Sequence, residues 1–133
     1  VSSQGGAWAR MIPLFKLGLG GRMGSGKQYW SFISLHDELS AIKFVLTNPA
    51  ISGPVNFVAP QAATNADVTR AMSKVFRRPA VAHVPAFALK LALGEFSQEV
   101  LGSTRVVPKV LTNAGFTFEH PDVLSAMKTL VNK

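Results

Sequence analysis

The first half of the chain repeats apolar residues at helical spacing in two segments. Residues 6–17, GAWARMIPLFKL, predict a helix with one buried side, in which Pro13 marks either a kink or the true start. Residues 35–46 repeat the pattern until Asn48 and Pro49 stop it. The apolar positions are Trp8, Met11, Ile12 and Phe15 in the first helix and Leu35, Leu39, Ile42 and Leu46 in the second.

Two short segments have the composition of β-strands. QYWSFISL, residues 28–35, follows a loop and is rich in aromatic and β-branched residues. VNFVA, residues 55–59, follows the turn SGP and is expected to be a short, mostly buried strand. Because a helix joins them, we predict a β-α-β unit with parallel strands and a right-handed crossover.

The chain beyond residue 60 is predicted to be helical. Thr64 is expected to cap the helix TNADVTRAMSKVFRR, with Asp67 completing a capping box. AFALKLAL carries one charged residue, Lys90, so we expect this helix to be buried or covered by a partner. Further helices are predicted at 95–101, at 105–114 and after Pro121.

These elements predict a mostly helical α/β fragment. Two parallel strands make a poor independent sheet, because parallel sheets normally have several strands covered by helices on both faces. The missing strands are expected upstream, and a chain that begins with Val rather than Met fits this expectation.

The stretch GLGGRMGSGKQYW, residues 18–30, raises the question of a phosphate-binding loop. A dinucleotide fingerprint has Gly at its sixth position, follows a strand and opens a helix. Here the sixth position is Met23, and the glycines leave a helix and enter a strand. A plain connector remains one interpretation. The other is a loop facing substrate, because Arg22, Lys27 and Gln28 beside Trp30 could meet an anionic or hydroxylated ligand.

The sequence predicts no catalytic, cofactor-binding or metal residues in this chain. The one tyrosine, Tyr29, is followed four positions later by Ile33, so the Tyr-x-x-x-Lys pair of short-chain dehydrogenases is missing. Ser34, His36 and Asp37 are triad residue types, but they crowd one helix start, where capping accounts for Ser34 and Asp37. The three histidines lack metal-ligand spacing.

Composition favours a cytoplasmic globular protein. Hydrophobic residues make up 47% and charged residues 16% of the chain. No apolar run approaches the ~18 residues that span a bilayer, and VSSQGGAWAR lacks the features of a secretory signal. The chain has no Cys, which excludes disulfides and fits the cytoplasm.

The net charge of +7 makes anionic partners worth testing. Its one concentration is a basic stripe at helical spacing, formed by Arg70, Lys74, Arg77 and Arg78. A solvated helix face is the ordinary interpretation, and nucleic-acid binding is the alternative. Stacking on bases needs interleaved aromatic residues, and this stretch offers only Phe76 on its apolar side, so nucleic acid is not the favoured partner.

Four stretches together resemble a known family: GSGKQYWSFI, the junction GPVNFVAP–TNAD, VPAFALKLALGE and RVVPKVLTNAGFTF. Nearly the whole chain is similar to the C-terminal half of NAD(P)-dependent, epimerase-like extended short-chain dehydrogenases/reductases, in the branch closed by a small helical domain of unknown function. The resemblance implies that residues 1–59 are the last elements of a Rossmann-like domain, including the glycine-rich loop and two strands. Residues 60–133 would then be the helical substrate domain. It also implies a missing N-terminal Rossmann half, with NAD(P) bound by the full-length protein.

The chain departs from the family pattern at two places. Sugar-nucleotide epimerases commonly carry Arg-Asp-Phe-x-His-x-x-Asp along the equivalent strand, and here Trp30 and Ser31 replace Arg-Asp. Arg favours bidentate phosphate recognition, so its replacement argues against a nucleotide sugar. The branch usually shows Ile-His-x-Asp-Asp, of which this chain keeps Ile33 and the final Asp37.

The leading hypothesis is therefore the substrate-binding portion of an NAD(P)-dependent epimerase-like or reductase-like enzyme, catalytically incomplete alone. The expected partners are the missing half and a small molecule, anionic or a sugar nucleotide. The predicted substrate contacts are Arg22, Lys27, Gln28, Trp30 and Ser31. The alternatives are an association module that forms a homodimer through the apolar ALKLAL helix and unpaired strand edges, and a basic nucleic-acid-binding domain.

Overall fold

The computed structural model describes residues 1–131, within which the chain forms seven α-helices, one 3-10 helix and four short strands. The helices are α1 (Gly6–Lys16), α2 (Leu35–Thr47), α3 (Asn65–Phe76), α4 (Ala86–Leu93), α5 (Ser97–Leu101), α6 (Lys109–Asn113) and α7 (Val123–Lys128), with the 3-10 helix at Gly94–Phe96. The strands are β1 (Gly21–Met23), β2 (Tyr29–Trp30), β3 (Ala63–Thr64) and β4 (Ala82–Val84). The predicted class, a mostly helical α/β fragment, is confirmed.

Helix α3 lies at the centre of the hydrophobic core. Val68 and Met72 on α3 are fully buried, and they pack with Phe15 of α1 and Met127 of α7. Burying side chains of this size supplies about 1.5–3 kcal/mol each relative to leaving them exposed. The core therefore ties the first helix of the chain to the last one.

The predicted capping box at the start of α3 is present. The Asp67 backbone N–H donates to the Thr64 hydroxyl oxygen, and the Thr64 backbone N–H donates to the Asp67 carboxylate at 3.0 Å. The Thr64 hydroxyl also donates to this carboxylate at 2.7 Å, and that bond is the main reason why the pKa of Asp67 lies below its usual value. A local four-residue pattern was sufficient to predict this helix start.

The two parallel strands are β1 and β4, and the glycine-rich stretch supplies one of them. Gly21 is opposite Ala82 in this pair. A side chain at position 21 would overlap the Ala82 carbonyl group, so the close approach of the two strands requires glycine here. This strand was not predicted, because three residues that begin with glycine have little strand propensity by themselves.

The predicted strands at 28–35 and 55–59 do not form a β-α-β unit in the described chain. Of the first, only β2 is a strand, and it pairs antiparallel with β3. Residues 55–59 lie outside any strand, although the Ala59 N–H donates to the Phe32 carbonyl at 2.7 Å. A strand needs a continuous ladder of backbone bonds, and this single bond does not provide one.

The second half differs from prediction at one helix start. Helix α6 begins at Lys109, whereas the prediction placed its start at residue 105. Pro108 explains the difference, because proline disfavours the helical conformation of the residue before it. The shorter helix leaves residues 102–108 outside any helix or strand, and part of this segment contacts β2.

Two apolar helix faces are exposed in the chain as described. On α2, Leu39 is 59% and Leu46 is 81% exposed. On α4, Phe87 is 74% and Leu91 is 88% exposed, so the expectation that this helix is buried within the chain is wrong. Coverage by a partner, the other half of that expectation, stays a prediction.

Candidate functional site

The loop between β1 and β2 is held in shape by backbone hydrogen bonds within the loop and to β4. Gly24 and Gly26 have φ angles of 59° and 72°, which only glycine adopts without strain. The Gly24 N–H donates to the Val84 carbonyl at 2.9 Å, and the Gly26 N–H donates to the Met23 carbonyl at 3.2 Å. A phosphate cradle needs such N–H groups free to meet the ligand, so this loop does not fit a dinucleotide pyrophosphate.

A pair of buried amide side chains fixes the end of β1 against α3. The Gln28 Nε2 donates to the Met23 carbonyl at 2.8 Å, and the Met23 N–H donates to the Asn65 Oδ1 at 2.9 Å. The Asn65 backbone N–H returns a bond to the Gln28 carbonyl at 2.9 Å. Within residues 1–131, the Gln28 Oε1 and the Asn65 Nδ2 are buried without a hydrogen-bond partner. Buried polar atoms without a partner are rare in folded proteins, and each is a place where water or another molecule can bind.

A cavity of about 480 Å³, here called the loop cleft, opens between this loop and helices α4 and α5. Its volume is that of a site for a small organic molecule. The loop side is formed by Gly24, Ser25 and Gln28. The helical side includes Ala86 and Lys90 of α4 and Ser97, Gln98 and Leu101 of α5.

Lys90 gives the loop cleft its charge. It is the one charged side chain among the described lining residues, and the others are apolar or neutral polar groups. The site therefore combines a cation, amide and hydroxyl groups, and apolar walls. Such a set can orient a ligand, but no described lining residue is an acid, a base near neutrality or an activated nucleophile.

Of the five predicted substrate contacts, Gln28 lines the loop cleft. Trp30 and Ser31 instead bind α5 and the segment that follows it: the Trp30 indole N–H donates to the Val100 carbonyl of α5 at 3.0 Å, and the Ser31 hydroxyl donates to the Thr104 carbonyl at 3.2 Å. Arg22 and Lys27 are exposed and do not line the cleft. The loop cleft thus brings one of the five predicted residues, Gln28, together with lining residues that were not predicted.

The residues that sequence reasoning missed are Ser25, Lys90, Gln98 and Asn65. Lys90 was noticed as the single charge of an apolar helix, and that isolation was the available signal. Asn65 stands in the stretch TNAD, which carried the family resemblance, but its contact with the glycine-rich loop is long-range. Gln98 offered no signal in the sequence.

A second polar cluster lies at the start of α2 and serves to hold two chain segments together. Ser34 caps α2 as predicted, by accepting from the Asp37 N–H at 3.0 Å. The buried Asp37 carboxylate accepts from the backbone N–H groups of Glu119 and His120, both at 2.9 Å. The Ser34 hydroxyl lies 3.0 Å from His120 Nδ1, and Asp37 Oδ2 lies 3.6 Å from the same nitrogen. A catalytic triad needs the serine and the aspartate on opposite ring nitrogens, so this cluster is not one.

Part of the basic stripe lines a second cavity, of about 350 Å³, beside α3 and α7. Arg70 and Lys74 face it together with the carboxylates of Asp67 and Asp122. Arg70 lies 3.3 Å from Asp67, so the local charge is close to balanced. The nucleic-acid alternative, which relied on unbalanced positive charge, stays a prediction that this surface does little to support.

Neither a metal centre nor a membrane-spanning helix is found in the described part of residues 1–131. Among the side chains that the structure describes, no three histidine or acidic groups are placed to hold a metal ion. In the same range no helix combines the length and the apolar character that crossing a bilayer requires.

The chain was compared with known proteins. Residues 84–130 match the model of a family described as "Domain of unknown function (DUF1731)". An epimerase family protein of Mycobacterium tuberculosis is 44% identical over 128 residues, which are 96% of this chain and 42% of the relative. This chain is related to the C-terminal part of the epimerase family proteins. The predicted relationship is confirmed, and the chain spans less than half the length of the curated relatives it matches.

Two solved structures are similar to the chain. The human epimerase family protein SDR39U1 (isoform 2), whose structure was determined with NADPH, superimposes with a TM-score of 0.93 at 28% identity, over 98% of this chain and 44% of that one. A nucleoside-diphosphate sugar epimerase of Corynebacterium glutamicum gives a TM-score of 0.69 at 29% identity, over 96% of this chain and 23% of that one. Both neighbours are much longer than this chain.

Proposed function

We propose that this chain forms the substrate side of an NAD(P)-dependent epimerase-like or reductase-like enzyme and is catalytically incomplete alone. The observation that carries the proposal is the loop cleft, a site of small-molecule size whose described lining can orient a ligand but offers no catalytic acid or base. The similarity to a human protein determined with NADPH supports the cofactor of the whole enzyme. The cytoplasmic location stays a prediction.

The cofactor is assigned to residues outside this chain. The backbone N–H groups of Gly24 and Gly26 are used within the chain and do not fit a pyrophosphate. Among the described residues, the contacts proposed for substrate are Gln28 from the original prediction, joined by Ser25, Lys90 and Gln98. Arg22, Lys27, Trp30 and Ser31 stay predictions, and the bonds of Trp30 and Ser31 favour a role in shaping the cleft.

The exposed face of α2 supports a missing partner domain. Leu35, Leu39, Ile42 and Leu46 recur at helical spacing and are between 40% and 81% exposed. Contiguous apolar surface of this kind marks an interface. We propose that the N-terminal, dinucleotide-binding half covers it. In this proposal residues 1–59 complete the Rossmann-like domain together with that half, and residues 60–133 form the helical substrate domain.

Association with a separately expressed N-terminal part of the Mycobacterium tuberculosis relative tests this proposal. The chain should co-elute with that part in size-exclusion chromatography. Leu39→Asp should abolish co-elution, because it places a charge in the buried interface. Leu91→Asp is the matched control, since it changes an equally apolar and even more exposed position on α4. Co-elution that survives Leu39→Asp would contradict the proposal.

A homodimer is the second candidate, and the exposure of α4 favours it. Phe87 and Leu91 are 74% and 88% exposed. Light scattering should then report a dimer that Leu91→Asp converts to a monomer. A monomer at high protein concentration would remove this candidate.

A further inference from the structure

We infer that the loop cleft binds a small organic monoanion with an apolar body and a hydroxyl group, rather than a nucleoside diphosphate sugar. The inference rests on the proposed function, because it names the class of substrate for the same site. It follows from three properties of the described lining: its charge, its apolar walls and one buried oxygen.

The charge of the cleft suits one negative group. Lys90 is the one cation among the described lining residues, and no described lining residue is acidic. A diphosphate carries at least two negative charges and is bound best by the bidentate fork of arginine. Arg22 lies outside the described lining. The Trp30 indole N–H, another possible donor to a phosphate, already donates to the Val100 carbonyl. A carboxylate matches the point charge of a single lysine.

The walls of the cleft suit a hydrocarbon body. Ala86 and Leu101 form apolar walls from α4 and α5, and Gly24 belongs to the loop side of the cleft. A Cβ at position 24 would lie 2.7 Å from Leu101 Cδ2, so the loop and α5 approach closely there. Removing apolar ligand surface from water at such walls favours binding. A sugar, whose hydroxyl groups need many partners, gains less from them.

One oxygen of Gln28 calls for a hydrogen-bond donor. The Gln28 side chain is 6% exposed and lines the cleft, and its Nε2 is engaged by the Met23 carbonyl at 2.8 Å. That bond fixes Oε1 as the acceptor, and Oε1 has no partner among the described residues. Because Oε1 itself is covered by protein atoms, a ligand hydroxyl supplies the missing donor when the Gln28 side chain shifts toward the cleft.

The test is an amide chemical-shift titration of the whole 133-residue chain with three probes: 2-hydroxyoctanoate, 1,2-octanediol and UDP-glucose. 2-Hydroxyoctanoate should shift the amides of Ser25, Lys90 and Gln98 saturably. The neutral diol should bind at least about tenfold more weakly, because it lacks the charge that Lys90 attracts. UDP-glucose should leave these amides unshifted.

Lys90→Met is the decisive variant and Lys74→Met its control. Lys90 is exposed, so Met keeps the length of its stem without disturbing the core. Lys90→Met should weaken 2-hydroxyoctanoate binding at least about fivefold, whereas Lys74→Met, which removes a cation at the second cavity, should not change it.

The outcomes separate this inference from the proposed function. UDP-glucose that binds the same amides as tightly as the hydroxy acid would overturn the ligand class and leave a substrate cleft in place. A diol that binds equally well, or a Lys90→Met chain that binds normally, would overturn the role of charge. Shifts confined to α2, or no shifts with any probe, would contradict both the inference and the proposed function.

Discussion

The contact between α2 and residues 119–120 should be one of the most sensitive points of the fold. The Asp37 side chain is 1% exposed, and its two oxygens each accept a backbone N–H, from Glu119 and from His120, at 2.9 Å. Asp37→Asn keeps the shape of the side chain. Its amide nitrogen must then face one of these N–H groups, so that one bond is replaced by a contact between two donors.

The loss can be estimated from this geometry. A hydrogen bond to a charged group contributes about 1.5–3 kcal/mol, and a buried N–H left without an acceptor adds to the cost. Part is recovered because the amide is easier to bury than a carboxylate. We expect Asp37→Asn to lower the free energy of unfolding by about 2 kcal/mol. With a urea dependence of about 2 kcal/mol per molar, the midpoint should fall by about 1 M.

Urea unfolding followed by circular dichroism measures this change, and Glu119→Gln is the control. The Glu119 carboxylate lies 2.7 Å from His36 Nε2, but both side chains are more than half exposed. Loss of this charged contact in Glu119→Gln should lower the free energy of unfolding by less than about 0.5 kcal/mol, because exposed ion pairs contribute little. Equal midpoints for the two variants would refute the assignment of Asp37 as a structural anchor.

Three further predictions concern local features. Gly21→Ala should lower the free energy of unfolding by at least about 2 kcal/mol, because the new methyl group overlaps the neighbouring strand. Gly5→Ala, which places a methyl group in open space, should cost less than half as much in the same urea assay. Thr64→Ala should cost about 1 kcal/mol through loss of the α3 cap, against no measurable change for the exposed Thr117→Ala. The Thr64 hydroxyl, which donates to the Asp67 carboxylate, lowers the pKa of Asp67 in the folded chain, so the contribution of this carboxylate to stability is complete above its unfolded pKa of about 3.9 and is lost as the pH falls through the folded value. The difference in urea midpoint between wild type and Asp67→Asn should therefore be constant near neutral pH and shrink as the solution is acidified below the unfolded pKa.

Helix starts with a side-chain cap could be predicted from the sequence because their causes are local. Thr64 and Asp67 satisfy N–H groups within four residues, and Ser34 does the same for α2. The ends of helices α4 and α6 could also be predicted, because Gly94 and Gly115 have positive φ angles there, which glycine adopts freely. Such features need no knowledge of the rest of the fold.

The strands could not be predicted reliably, because a strand exists through its neighbour. The aromatic and β-branched residues of 28–35 favoured a long strand, yet only two of them pair in β2. The pairing of β1 with β4 depends on Gly21 permitting close approach to a segment far along the chain. The strand propensity of a segment does not indicate which distant segment it will pair with.

The candidate site was predicted in part for the same reason. Gln28 was chosen from its place in a polar loop, and it lines the loop cleft. Lys90 and Gln98 come from the far side of the cleft, which forms only when α4 and α5 pack beside the loop. The resemblance to a family supplied the general function, whereas the particular contacts required the structure.

The central claim, that this chain carries the substrate side and not the dinucleotide site, is tested most directly by calorimetric titration of NADPH. The titration is made into the 133-residue chain alone and into a protein in which the N-terminal part of the Mycobacterium tuberculosis relative precedes it. We predict saturable binding to the joined protein and none to the chain alone. Tight, one-to-one binding of NADPH by the chain alone would contradict the account.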